Sequence, residues 1–317
     1  MIHFPEVLPD EFLPGYAGRV ARSNAINLRE LWRQLSSRAN ALSPTPAVKS
    51  RTQILATVLQ VEADSLAREH TALPIIRVLR RPHTGLRHAD PDDARTLRLC
   101  EFNLPARAPY LCPRCVIEDL AYWGLSYWRR THQIRGILNC PKHGIALKLA
   151  HRAGCLDTFP EEGSAATTQH PPVERQIQER YAQVVAGLLE LQQALPADQA
   201  LYRLHLSCQA ACEGSWHHNR KRAPLWNHIR STLRNSGLDA VFPALGHPEE
   251  PRYAQGGERP GESWTVYGTG YAFALALTAL YACADDALSD VLRPLSPLEQ
   301  HSAVMAFPTG QLAYMHA

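Results

Sequence analysis

Two short, proline-marked turns constrain this sequence more than any other feature. Cys112-Pro-Arg-Cys115 is followed, after 24 intervening residues, by Cys140-Pro-Lys-His143-Gly144. Each turn sets two metal-competent side chains three residues apart, with Pro fixing φ directly after the first of them. Three cysteines and one histidine make the tetrahedral donor set that zinc prefers. Four protein ligands leave no position for water or substrate, so the expected Zn2+ is structural and not catalytic. A module this small has little core of its own, and metal binding supplies much of its folding free energy.

The rest of the chain is ordinary globular sequence. At 317 residues it is long enough for two or three units, and 45% hydrophobic with 20% charged residues excludes wholesale disorder. A formal net charge of +3 is too small for a bulk nucleic-acid coater. The charge is uneven: residues 68–152 carry 15 basic against 7 acidic side chains, and residues 153–317 carry 11 against 17. Nearly all of the basic excess is arginine, whose planar fork matches phosphate, although arginine-rich usage in a GC-rich genome accounts for it equally. Arg68, Arg80, Arg81, Arg114, Arg129, Arg130, Arg135 and Lys142 are the candidate contacts to nucleic acid or a partner. Met1–Pro5 carries no export signal, and the apolar stretch Tyr271–Ala284 has the length of a buried core helix. The expected location is the cytoplasm, with no membrane partner; in that reducing compartment cysteines serve as ligands or packing.

Helix signals dominate, and the predicted fold is mainly α. Its parts are an N-terminal helical region (1–105), a central zinc-finger module (106–159), a linker (160–172) and a C-terminal helical domain (173–317). Asp10 is placed to cap a helix carrying Phe12, Tyr16 and Val20, Asn27 with Glu30 opens a second, and Ser50 with Gln53 opens a third. Gln60–Val61–Glu62 then leads tightly into Ala63–His70, a helix-turn-helix outline that a plain helical hairpin shares. Ile177, Tyr181, Val184, Leu188 and Leu191 mark a long amphipathic helix; Pro224 opens another, with Leu225, Ile229 and Leu233 inward; Ser296 and Glu299 cap a last one. Residues 246–263 read as a surface loop, and Ile134–Asn139 is the best strand candidate.

Between the two turns, Trp123, Tyr127 and Trp128 precede Arg129 and Arg130. Such aromatics either stack bases or form the small core under a metal site. Known catalytic signatures are missing. A zinc deaminase needs His-x-Glu ahead of Pro-Cys-x-x-Cys, but His247-Pro-Glu249 comes after the cysteines and Leu111, not Pro, precedes Cys112. Nucleophile-elbow, P-loop and His-Glu-x-x-His patterns do not occur. Asp90, Asp92 and Asp93 adjoin a Pro-rich turn and read as solvated charge.

Together, Cys-Pro-x-Cys, a following Glu118-Asp119, the Tyr-Trp…Trp segment and Cys-Pro-x-His-Gly-x-x-Leu resemble the TniQ family, which includes the N-terminal part of TnsD. The start Leu8-Pro-Asp-Glu-Phe-Leu13, with Arg19, Ala21, Arg22 and Asn24, is similar to the start of that family. The resemblance covers about residues 1–150. It implies a target-selection protein of a multi-component transposon, built on zinc-finger and helix-turn-helix elements, that does no bond chemistry. The implied partners are a target DNA site or a CRISPR Cascade complex, a TnsC-like AAA+ ATPase and, in some members, a second copy as a homodimer. A transcription regulator using the same elements is the alternative. The chain departs from many relatives after His-Gly-x-x-Leu, where a second Cys-x-x-Cys-Gly turn is replaced by His151-Arg-Ala-Gly-Cys155. Cys155 with Cys208 and Cys212 makes a weak second metal set; otherwise these residues, Cys100 and Cys283 are small buried side chains.

Overall fold

The computed structural model describes residues 2–43, 50–80, 109–150, 155–160, 172–211, 223–242, 245 and 264–306. The fold is mainly helical, and the chain divides into two compact units, Met1–Pro74 with Arg87–Gln169, and Ile75–Leu86 with His170–Ala317. The expected zinc module and most of the expected N-terminal region lie in the first, while residues 75–86 of that region belong to the second. Most of the expected linker and all of 246–263 lie outside the described residues, as do Asp90, Asp92, Asp93, His247 and Cys100.

The first unit opens with α1 (Leu13–Ser23), α2 (Leu28–Leu42), α3 (Arg51–Leu59) and α4 (Ala63–His70). Two of the three expected caps form as read. Asn27 accepts a hydrogen bond from the Glu30 amide, and Ser50 with Gln53 makes a reciprocal capping box. Asp10 does not cap α1: the N-cap is Phe12, without a side-chain bond, and Asp10 adopts φ +55. Its carboxylate is spent on a partner 120 residues away. Gln60, left-handed at φ 59, closes α3 and sets the tight connection into α4. Leu13, Tyr16, Ala17 and Val20 of α1, Leu31 and Leu35 of α2, Leu55 of α3 and Leu66 of α4 form one buried cluster. It is the apolar face that the helical periodicity marks.

The remainder of this unit is the segment carrying the two turns. β2 (Tyr110–Leu111), which follows β1 (Leu79–Arg80) in the chain, pairs antiparallel with β3 (Lys148–Leu149), and α6 (Pro113–Trp123), the helix after the short α5 (Leu73–Ile76), lies between β2 and β3 in sequence. Phe12 packs with Leu111, Trp128, Ala150 and Leu156, so the N-terminal chain completes the core of this segment. The Phe12 amide also donates to the Trp128 carbonyl at 2.7 Å. Tyr127 and Trp128 are thus core residues, whereas Trp123 is exposed. Ile134–Asn139 is not a strand: a 3-10 turn (Thr131–Gln133) leads into it and only Asn139 forms a bridge, to Ala146. Ile134 and Ile137 close a turn, with the Ile137 amide on the Ile134 carbonyl, and both side chains are buried.

The second unit contains α7 (Pro172–Leu189), α8 (Ala197–Ala211), α9 (Ala223–Leu233), α10 (Leu238–Val241), α11 (Trp264–Leu280), α12 (Ala284–Leu292) and α13 (Pro297–Ala306). A two-residue parallel pairing joins β1 to β4 (Leu195–Pro196). Tyr181, Val184 and Leu188 of α7 are buried as their spacing predicts, with Ile229 and Leu233 of α9. Tyr271 and Phe273–Leu277 of α11 are likewise buried, and no single described helix is long and apolar enough to cross a membrane. Arg203, 1% exposed, is held by Glu299 and the Pro294 carbonyl, and Ser296 with Glu299 caps α13. Cys283 is exposed, contrary to its expected burial, because it serves as the N-cap of α12 with its sulfur accepting from the Asp286 amide.

Candidate metal centre

Local geometry brings the first two ligands together. Cys112 is extended and occupies the N-cap of α6, with Pro113 in the first helical turn and the Val116 amide bonded to the Cys112 carbonyl at 3.0 Å. Cys115 falls in the same turn, so both sulfurs sit at the positive end of the helix dipole, which favours thiolates. The second pair is set by a tight turn. The Gly144 amide donates to the Cys140 carbonyl and the Cys140 amide to the Ile145 carbonyl, both at 2.8 Å. Gly144 has φ +63, a conformation side chains resist, which explains glycine directly after the last ligand.

The four ligand atoms converge within 4.8 Å of one another. Cys115 Sγ lies 3.7 Å from Cys140 Sγ, and His143 Nδ1 lies 3.4 Å from Cys112 Sγ, 3.4 Å from Cys115 Sγ and 3.6 Å from Cys140 Sγ. A tetrahedron with zinc–sulfur and zinc–nitrogen bonds of ordinary length has S···S edges of about 3.8 Å and S···N edges of about 3.6 Å. The donor set and its spacing therefore fit a metal ion and are consistent with zinc. Cys112, Cys115 and Cys140 are buried and His143 is partly so.

Electrostatics point the same way. Three thiols at this spacing cannot all ionise without a cation. Hydrogen bonds from Cys115 and Cys140 hold the Cys112 thiol low, while sharing protons with Cys112 and burial push Cys115 up, and Cys140 also moves up. A divalent ion removes that conflict by stabilising all three thiolates.

Two side chains outside the tetrad meet it, and neither is among the ligands expected from sequence. Glu118 Oε1 lies 2.9 Å from His143 Nε2, on the side of the ring away from the sulfurs. Its spacing was the available signal: three residues after Cys115 on a helix is the same face. His132, buried in the 3-10 turn and pushed down to about 4 by desolvation, places Nε2 3.9 Å from Cys115 Sγ.

The candidate contact residues separate into distinct settings. Arg130 is 3% exposed; its Nε donates to Asp10 Oδ1 at 2.8 Å and its guanidinium also reaches the Arg68 carbonyl. Asp10 Oδ2 accepts from the Thr131 hydroxyl at 2.7 Å, which explains why Asp10 is not a cap. Arg129 pairs with Asp119 and lies over the Tyr127 ring. Arg68 pairs with Glu69, and Lys142 Nζ donates to Glu118 Oε2 at 2.5 Å. Arg114 is exposed on the first turn of α6 and Arg135 is half-buried. The side chain of Arg80, and Arg81 entirely, lie outside the described residues, as do the Cys155 side chain and Cys212. Of the proposed second set only Cys208 is described, buried in α8. The Cys112, Cys115, Cys140 and His143 group is the one metal-competent cluster found among the described residues.

No curated protein matches the chain. The model of one protein family, TniQ, matches residues 2–147, a span that takes in the helical bundle, both turns and all four ligands. Residues 2–147 of the chain are therefore a TniQ domain.

Proposed function

We propose that the protein is a non-enzymatic, zinc-binding adaptor for transposon target-site selection, linking a target DNA site or an RNA-guided Cascade complex to a TnsC-type AAA+ ATPase and its transposase. The observation that carries this reading is the coincidence of the TniQ match with the closed Cys3His tetrad: the family's span ends four residues after the last ligand. A saturated coordination sphere holds a fold and offers no reactant position, which supports a scaffold over an enzyme. The ion assigned is zinc, and the compartment assigned is the cytoplasm.

The charge of the helix-turn-helix-like pair favours docking on a protein or ribonucleoprotein surface over direct reading of DNA. Helix α4 and its approach carry Glu62, Asp64 and Glu69, and Arg68 is already paired with Glu69. Three acidic side chains against one arginine repel phosphates, and a helix that reads base edges has to approach within contact distance of them. Arg129 and Arg130 are likewise engaged internally, by Asp119 and Asp10.

A pull-down of the tagged protein from cells carrying the whole element, scored for the ATPase and for Cascade, tests the reading. Recovery of either partner supports it. Recovery of neither, together with tight, steeply salt-dependent binding to free DNA, overturns it in favour of a DNA-binding regulator.

A further inference from the structure

Glu118 joins the two halves of the tetrad through one carboxylate. Its Oε1 lies 2.9 Å from His143 Nε2 and its Oε2 accepts from Lys142 Nζ at 2.5 Å. Lys142 and His143 are consecutive residues of the second turn, whereas Glu118 stands on α6, the helix that begins within the first. It is 46% exposed and lies outside the buried core of the unit, so these two bonds are the contribution its carboxylate makes.

The chemistry at His143 follows from proton accounting. A neutral imidazole has one N–H and one lone pair. A carboxylate at Nε2 requires the N–H there, which leaves the lone pair on Nδ1, the atom that faces all three sulfurs. Carboxylate partners of this kind fix the tautomer, hold the ring plane and raise the donor strength of the coordinating nitrogen. The Lys142 bond adds a tether between the second turn and α6, with both Glu118 oxygens engaged.

We propose that Glu118 is a positioning residue for metal capture, orienting His143 with Nδ1 toward the three cysteine sulfurs. This inference rests on the reading of the tetrad as a metal site. It assigns a physical role to the glutamate of the Glu118-Asp119 pair, while Asp119 serves a separate purpose by pairing with Arg129.

The test is competition for zinc between the full-length chain and a chromophoric chelator, with the absorption spectrum of the cobalt-loaded protein as a second readout. Wild type is expected to bind one ion. Glu118→Ala is expected to bind about 10–100-fold more weakly, with a shifted cobalt spectrum from the reoriented imidazole. Glu118→Gln keeps an acceptor for the Nε2 proton and is expected to recover part of the loss. Lys142→Met, which removes only the tether, is expected to keep the wild-type spectrum and most of the affinity. Wild-type affinity in Glu118→Ala overturns the proposal, as does an equal loss in Lys142→Met with no spectral change in either variant. A wild-type protein that binds no ion overturns the metal reading itself, a result distinguishable from both.

Discussion

Arg19 clasps Glu11 side by side, Nε to Oε1 at 2.9 Å and Nη2 to Oε2 at 2.6 Å, with both side chains almost wholly out of solvent. The pair spans the start of α1: Glu11 also accepts from the Leu8 amide at 3.0 Å, and Arg19 donates to the Glu6 carbonyl at 2.5 Å. Both carboxylate oxygens and two of the three guanidinium nitrogens are therefore answered, as burial of an ion pair demands. Removing one partner strands the other. Glu11→Gln or Arg19→Met is expected to cost about 3–5 kcal/mol in urea unfolding, and the double replacement Glu11→Leu with Arg19→Met less than the sum of the two. Additive losses would show that the two charges do not depend on each other.

Metal removal is expected to unfold the first unit as a whole. Structural zinc contributes about 10–16 kcal/mol of apparent free energy in small modules, comparable with the total stability of a domain, about 5–15 kcal/mol. Phe12 and Asp10 tie the N-terminal chain to the segment carrying the tetrad. Chelation, Cys112→Ser or Cys140→Ser should then remove amide-exchange protection from α1 as well as α6. Elemental analysis should find one zinc per wild-type chain and none in the variants. A cooperative melt of this unit in a metal-free variant would contradict the assignment.

Gly18 is the place where α1 meets the chain after β3. A Cβ on this residue would stand 2.2 Å from the Leu156 carbonyl oxygen, a backbone atom that cannot swing aside. Gly18→Ala is expected to lose about 1–3 kcal/mol through overpacking, although alanine is the better helix former. A stabilised Gly18→Ala would mean that this contact is absent in solution.

Acid should weaken the first unit through His70. Burial, with a further push from Arg130, holds this imidazole below its ordinary value, while its Nδ1 donates to the Glu11 carbonyl at 2.9 Å. A folded pKa below the unfolded one means that the unfolded chain takes up the proton first. Stability is then full above about pH 6.5 and falls as pH drops through the window beneath it. His70→Asn keeps a donor at the Nδ1 position and removes the titration, so its unfolding free energy should vary less between pH 7 and pH 5, approximate bounds set by the ordinary histidine range. An unchanged slope would assign the acid sensitivity elsewhere.

What the chain's own order determines here is local. The two Cys/His turns whose side chains could hold a metal ion, the capping boxes at Ser50 and Ser296, the cap at Asn27 and the buried stripes of α1, α7 and α11 are all legible, because each depends on residues within one or two helical turns. Glycine after His143 is legible for the same reason: the turn that needs it is four residues long. Tertiary structure decided the rest. Asp10 has the position of a cap and the partners of a clamp, since Arg130 and Thr131 lie 120 and 121 residues away. Arg129 and Arg130 look from sequence like solvent-facing cations and are consumed inside the unit by Asp119 and Asp10. Glu118 becomes part of the metal centre only when the second turn folds back onto the helix of the first. A charged side chain gains from any opposite charge that the fold brings near, whatever its distance along the chain, and spacing carries no record of that encounter.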